Sequence, residues 1–145
     1  MIGKNGTGKS TLLKLVTKDL LPKSGDVNLH QKTQFGYFGQ MNIDRLDPNN
    51  SVYQEIQSYV PEMEETKVRQ VCGNMMFSSR LSSKHIKVLS GGEKSRVMLG
   101  QILAKDVNLL FLDEPTNHLD MQSIDALTIA IKKFKGSCII VTHSE

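Results

Sequence analysis

Apolar positions along this chain follow two alternating rhythms. Over residues 9–20, Leu12, Leu13, Leu15, Val16 and Leu20 keep helical spacing, and Pro22 with the Lys23-Ser24-Gly25-Asp26 turn stops that helix. Residues 27–29 and 34–38 read as short strands, the second closed by Gly39-Gln40. Residues 42–50 are polar and end in Asp47-Pro48-Asn49-Asn50, a loop by composition. Ser51 reads as the N-cap of a helix running to residue 59, with Glu55 early enough to suit the positive end of the helix dipole, and Pro61 breaks it. A second helix over 64–76 puts Val68, Val71, Cys72 and Met75 on one face, and the Ser-rich stretch 77–87 has no period. Residues 93–104 return to helical spacing through Val97, Leu99, Ile102 and Leu103. The run 107–112, apolar but for Asn108, predicts a parallel strand covered on both faces. Residues 121–134 form a further helix through Ile124, Leu127, Ile131 and Phe134, ended by Lys135-Gly136, and 137–141 a second buried strand.

Strands alternating with helices predict an α/β fold with a mostly parallel sheet and right-handed crossovers. Residues 51–87 carry only helices, so a small helical subdomain (41–87) is expected beside a catalytic α/β core (1–40 and 88–145).

Three short segments and three single residues bring chemistry into this frame. GKNGTGKS at 3–10 has the P-loop pattern G-x-x-x-x-G-K-[ST]. Gly3, Gly6 and Gly8 let the backbone around Asn5 curl so that N–H groups point inward at phosphate oxygens, and the following helix adds its positive end. Lys9 reaches the outer phosphates, the Ser10 hydroxyl suits Mg²⁺, and Thr11 is next in line for a phosphate. In LLFLDEP at 109–115 the strand delivers two carboxylates to the carboxyl end of the sheet. Asp113 suits Mg²⁺, and Glu114 reaches a water in line with the γ-phosphate as general base. LSGGE at 89–93 sets Ser90, Gly91 and Gly92 at the start of a helix, a second anion-binding nest. With a sheet between the two nests, this one is expected to serve the ATP of another domain. His143, directly after a buried strand, is placed to bond the γ-phosphate and hold the attacking water, and Gln40 to touch Mg²⁺ and that water. Asp120 reads equally as an N-cap for the helix from residue 121 and as a link between two ATP-binding domains.

Composition narrows the class without changing it. With 145 residues, 39% apolar and 23% charged, the chain is one domain's worth of globular protein. No window approaches the roughly 18 apolar residues of a membrane span, and Cys72 and Cys138 are too few and too distant for a disulfide framework or a metal pattern. The net charge of +3 is scattered; it permits a polyanionic partner without arguing for one.

Taken in order, the P-loop, Gln40, LSGGE, LLFLDEP, Asp120 and His143 resemble the P-loop nucleotide-binding domain of ABC-type ATPases across essentially the whole chain. EPTNHLD at 114–120 and KVLSGGEKSRVMLGQIL at 87–103 resemble, more narrowly, the ABC-F subfamily, soluble tandem-domain ATPases that act on the ribosome. No long insertion separates Gln40 from Leu89, which is similar to the second of the two domains. The P-loop starts at Gly3, so the strand feeding it is expected to be reduced to Met1 and Ile2 and the domain to be truncated at both ends. The resemblance implies ATP and Mg²⁺ as cofactors, Glu114 as base, His143 as switch and Gln40 as sensor, with Ser90 and Gly92 facing the γ-phosphate of a second nucleotide-binding domain. It implies a ribosome or RNA partner through the full-length protein, no insertion into a membrane, and a cytoplasmic setting. Two features depart from the family: Thr142-His143-Ser144-Glu145 stands where Ser-His-Asp-Arg is usual, and the adenine-stacking aromatic has no counterpart upstream of Gly3. The alternative is the motor subunit of a membrane transporter, in which Ser-Ala or Ser-Gly more often stands where this chain has Asn117-His118. A third reading, from another class, is a non-catalytic remnant.

Overall fold

The computed structural model describes residues 2–3, 6–39, 43–117 and 119–143. They fall into two compact units, the first comprising Met1–Gly39, Val107–Pro115 and Lys135–Glu145, the second Gln40–Asp106 and Thr116–Phe134. The second unit therefore takes in the two long helices that flank the 107–115 strand in sequence.

The first unit is a four-stranded parallel sheet with one helix on it. Its strands are β1 (Ile2–Gly3), β2 (Phe35–Phe38), β3 (Leu109–Asp113) and β4 (Ser137–His143), in the order β1-β4-β3-β2. β3 lies at the centre, with Leu110 and Leu112 wholly buried, as its unbroken apolar run predicts. Its register pairs Phe111 with Tyr37 on one side and with Ile139 on the other, and Asp113 with Val141. Side chains alternate between faces along a strand, so Tyr37, Phe111, Asp113 and Val141 share one face. Helix α1 (Lys9–Val16) packs there through Leu13 and Val16 against Phe111 and Val141.

Two elements differ from the sequence expectation. Helix α1 ends at Val16 rather than near residue 20: Lys18 turns into the left-handed region (φ 63°) and the Leu20 N–H returns to the Lys14 carbonyl. Leu20 and Leu12 are exposed, so the periodic pattern there counted residues outside the packed stripe. Residues 27–29 form no strand.

The second unit is helical: α2 (Val52–Tyr59), α3 (Glu65–Asn74), α4 (Gly91–Ala104) and α5 (Met121–Lys133), with single 3₁₀ turns at Leu81–Ser83 and Ile86–Val88 in the aperiodic connection. Ser51 caps α2 as expected, in a capping box with Gln54. Glu55 is buried rather than solvated, its carboxylate accepting from Asn50 and from Gln101 of α4. At Gly100 an added Cβ would lie 3.1 Å from Met75 and 3.2 Å from Ile56, so α4 approaches its neighbours as closely as a helix can. Cys72 and Cys138 are free, and burial pushes both thiols up. Among the described residues no helix is long and apolar enough to cross a membrane.

Candidate functional site

In the first unit the P-loop and the end of β3 meet. Gly6 and Gly8 hold φ of 78° and 86°, a conformation that residues with a Cβ rarely adopt, and Gly8 is the residue that starts α1. A glycine brings no side chain to cap that helix, so its first-turn N–H groups are left to other acceptors. Lys9 is buried and its Nζ donates to the Gly3 carbonyl across the loop. One residue on, the Ser10 hydroxyl donates to Asp113 Oδ1 at 3.2 Å. The loop and the strand end are thus joined through two of the three residues that sequence reasoning assigned to Mg²⁺. Thr11 is exposed in the same helical turn.

Tyr37 was missed by sequence reasoning. Its hydroxyl donates to Asp113 Oδ2 at 2.8 Å, so each oxygen of that carboxylate has its own donor. Burial first, then the hydrogen bond to Asp113 and its charge, push the Tyr37 hydroxyl far above its ordinary range, and it remains a proton donor. The signal for it is the register between β2 and β3, which the sequence does not state.

Glu114 follows directly, its N–H bonded to the Val141 carbonyl at 2.9 Å. Its φ of 49° puts it in the left-handed region, where a non-glycine residue is uncommon and strained, a feature that clusters at functional sites. At the other end of the sheet order, β1 pairs with β4 so that Gly3 stands opposite His143. The backbone thereby sets the histidine position beside the first glycine of the loop. Asn5 and Gln40 lie outside the described residues.

The second unit brings LSGGE and Asp120 together. Ser90 caps α4 through a capping box: its Oγ accepts from the Glu93 N–H at 3.2 Å and its own N–H donates to Glu93 Oε2 at 2.8 Å. Asp120 caps α5, accepting the Ser123 N–H at 2.8 Å. The Ser123 hydroxyl, also unremarked in the sequence, donates to the Gly92 carbonyl at 3.0 Å. A Cβ on Gly92 would fall 2.6 Å from the Asp120 carboxylate, whereas one on Gly91 would meet nothing within 4 Å. Hydrogen bonding from Ser123, side chain then backbone, holds the Asp120 carboxyl below its usual range, with a smaller pull from Arg96. Gly92 is therefore a packing glycine here, and Gly91 is the open one.

The comparisons with known proteins converge on one family. The family described as ABC transporter matches residues 1–117. The chain is 43% identical over 143 residues to the probable ATP-binding protein YheS of Haemophilus influenzae, covering 99% of this chain and 22% of that protein. It is 41% identical over 145 residues to the ATP-binding cassette sub-family F member 3 of Mus musculus, covering 100% of this chain and 20% of that protein. The chain thus spans about a fifth of the length of these curated relatives. Among solved structures, a dimeric ATP-binding cassette in a post-hydrolysis state with ADP and Pi superposes with a TM-score of 0.78 at 19% identity, covering 99% of this chain and 73% of that one. That likeness establishes the fold, an α/β P-loop architecture with a parallel sheet flanked by helices. On the family match, this chain belongs to the ABC transporter family, and a sub-family F member is among the relatives it is similar to.

Proposed function

We propose that this chain is an ATP-binding and ATP-hydrolysing domain of a sub-family F ATPase that acts on the ribosome from the cytoplasm. The observation that carries the hydrolytic part is the Ser10–Asp113 contact, which joins the phosphate-binding loop to the carboxylates after β3. In this reading residues 1–40 and 88–145 make the catalytic core and 41–87 its helical subdomain.

The donor chemistry suits the cofactors. A hydroxyl and a carboxylate 3.2 Å apart are hard oxygen donors of the kind Mg²⁺ takes when phosphates and waters complete its shell. Ser10 and Asp113 would hold that ion together with Gln40, and Mg²⁺, when bound, neutralises charge developing on the phosphates. Gly3, Asn5, Gly6, Gly8, Lys9 and Thr11 bind the phosphate chain. The backbone supplies N–H donors, and Lys9 exchanges the Gly3 carbonyl for a phosphate oxygen. Glu114, displaced from the strand line by its left-handed backbone, takes the proton of the attacking water. His143, opposite Gly3, orients that water or the terminal phosphate. Ser90, Gly91, Gly92 and Asp120 meet the nucleotide bound by a second such domain, in the same full-length chain or a dimer. Support for that pairing is the open approach at Gly91 and the dimeric state of the superposable cassette.

The ribosomal assignment rests on the sub-family F relative and on Asn117-His118 in EPTNHLD. One experiment tests both halves: purify the full-length protein, measure Mg²⁺-dependent ATP hydrolysis, and sediment the Glu114→Gln variant with ribosomes in ATP. The expected result is hydrolysis by the wild type and ATP-dependent co-sedimentation of the variant. Hydrolysis without ribosome binding would remove the ribosomal half, and no hydrolysis would remove the reading.

A further inference from the structure

We propose that Tyr37 is a positioning residue for the cation: it fixes the rotation of the Asp113 carboxylate, and the backbone at Gly39 is packed against its ring. This inference rests on the reading of Ser10 and Asp113 as the Mg²⁺ residues and adds a residue to it.

Three observations carry it. A carboxylate turns about its Cβ–Cγ bond unless both oxygens are held. Here Ser10 holds Oδ1 and Tyr37 holds Oδ2, at 3.2 and 2.8 Å. The two donors are not equivalent. Ser10 is itself a proposed ligand, so its hydroxyl must re-aim when its oxygen lone pair is taken. Tyr37 works from the opposite side on a ring packed among Leu13, Phe111 and Val141. Its register opposite Phe111, with Asp113 two residues further along the same face, is set by the β2–β3 ladder. The shorter of the two bonds therefore stands on the more rigid support, the arrangement by which residues behind a ligand orient it.

The third observation concerns Gly39. A Cβ there would lie 2.8 Å from Tyr37 Cε1 and 3.2 Å from its hydroxyl oxygen. Real side chains do not occupy such space, so the backbone at Gly39 rests directly on the ring that holds Asp113. Any shift of that backbone toward the sheet is passed to the carboxylate through contact with a packed ring, without an intervening flexible side chain.

The test removes one hydroxyl. Tyr37→Phe keeps the ring and its packing, and thermal unfolding verifies that the full-length variant is folded. ATP affinity is then measured in EDTA, and Mn²⁺ affinity of the ATP complex by electron paramagnetic resonance. The expected result is roughly tenfold weaker Mn²⁺ binding, in line with the loss of an outer-shell partner, with ATP affinity in EDTA unchanged. Gly39→Ala should weaken Mn²⁺ in the same way, and the double variant should be no worse than Tyr37→Phe alone. Unchanged Mn²⁺ affinity in Tyr37→Phe overturns the inference, and so does an equal loss of ATP affinity in EDTA, which would make Tyr37 a support of the loop as a whole. Additive losses in the double variant overturn the coupling through Gly39. Failure of the underlying reading appears elsewhere, in a wild-type protein whose ATP complex takes up no Mn²⁺.

Discussion

Two helices of this protein begin at glycine-rich segments that look alike as sequence, GTGKS before α1 and LSGGE before α4, yet their first turns are finished in different ways. α1 starts from Gly8, left-handed at φ 86° and with no side chain to offer. α4 starts from Ser90, whose hydroxyl and backbone N–H are both engaged by Glu93 in a capping box. The first has no side chain at its cap to accept from its first turn; the second has a reciprocal cap that engages the N–H groups of Ser90 and Glu93. The bonds around the P-loop are provisional in character: Lys9 rests on a backbone carbonyl and Ser10 on Asp113, contacts that phosphate and cation can replace. Around LSGGE the bonds are structural, since Asp120 and Ser123 fasten Gly92 to the start of α5. The sequence pattern S-x-x-E announces a cap and G-x-x-x-x-G-K-S announces a ligand, although both are helix starts rich in glycine and serine. Substitutions in the first region should accordingly change function with little change in stability, whereas substitutions in the second should also change stability, because there the same residues hold the fold.

The sharpest test of that division is Glu114→Gln in the full-length protein. Removing a positioned general base typically lowers turnover by ~10²–10⁴, while ATP affinity and the unfolding midpoint stay near those of the wild type. Steady-state hydrolysis together with a nucleotide titration reads both. Turnover close to wild type would take Glu114 out of the chemistry and leave its left-handed backbone without a functional reason.

Next in size is Lys9→Ala. A hydrogen bond to a charged group contributes ~1.5–3 kcal/mol, so affinity for a fluorescent ATP analogue should fall roughly 10- to 100-fold. Unchanged affinity would mean that the backbone of the loop binds without the lysine.

A pair of neighbouring glycines then probes the other region. Gly92→Ala forces a Cβ to within 2.6 Å of Asp120, and crowding of this kind in a packed site destabilises by ~1–3 kcal/mol. Gly91→Ala meets nothing within 4 Å and should leave the urea midpoint unchanged or raise it. If Gly91→Ala nevertheless loses hydrolysis, the open glycine is the one a nucleotide approaches. Equal midpoints for the two variants would break the contrast between packing and ligand glycines.

What could be read from the sequence follows the same division. The P-loop, β3 with its two carboxylates, and the helices over 52–59 and 121–133 were legible because each is specified by neighbouring residues: an apolar run, a cap, a glycine pattern. Tyr37 and Ser123 were not, because what makes them matter is a partner 76 and 31 residues away, Asp113 and Gly92 respectively. Such pairings are fixed by strand register and helix packing, which leave no local mark. The start of α4 at Gly91 instead of residue 93 was legible in principle, since Ser90 and Glu93 are spaced as a capping box. The early end of α1 was less so: Leu20 continues the apolar rhythm, but the chain has already reversed at Lys18.

The smallest expected effect belongs to Asp120 and separates its two readings, helix cap and inter-domain contact. As a cap it accepts the Ser123 N–H, so Asp120→Ala should cost about 1 kcal/mol at pH 7, whereas Asp120→Asn, which keeps a capping oxygen and loses only the charge, should cost a smaller part of that. The charge adds a pH signature. Hydrogen bonding from Ser123 lowers the folded-state pKa of Asp120, so the folded protein holds this proton less tightly than the unfolded chain. The resulting stabilisation is present above the unfolded carboxyl range near ~3.9 and is lost as pH falls through the lower folded value. Urea midpoints of wild type and Asp120→Asn should therefore lie furthest apart at neutral pH, in favour of the wild type, and converge in acid. A gap independent of pH would show that the charge plays no part in the cap. A variant Asp120→Asn that is as stable as the wild type at every pH and yet slow in ATP turnover would move Asp120 out of the structural region and into the functional one, where the comparison between the two helix starts would have to be redrawn.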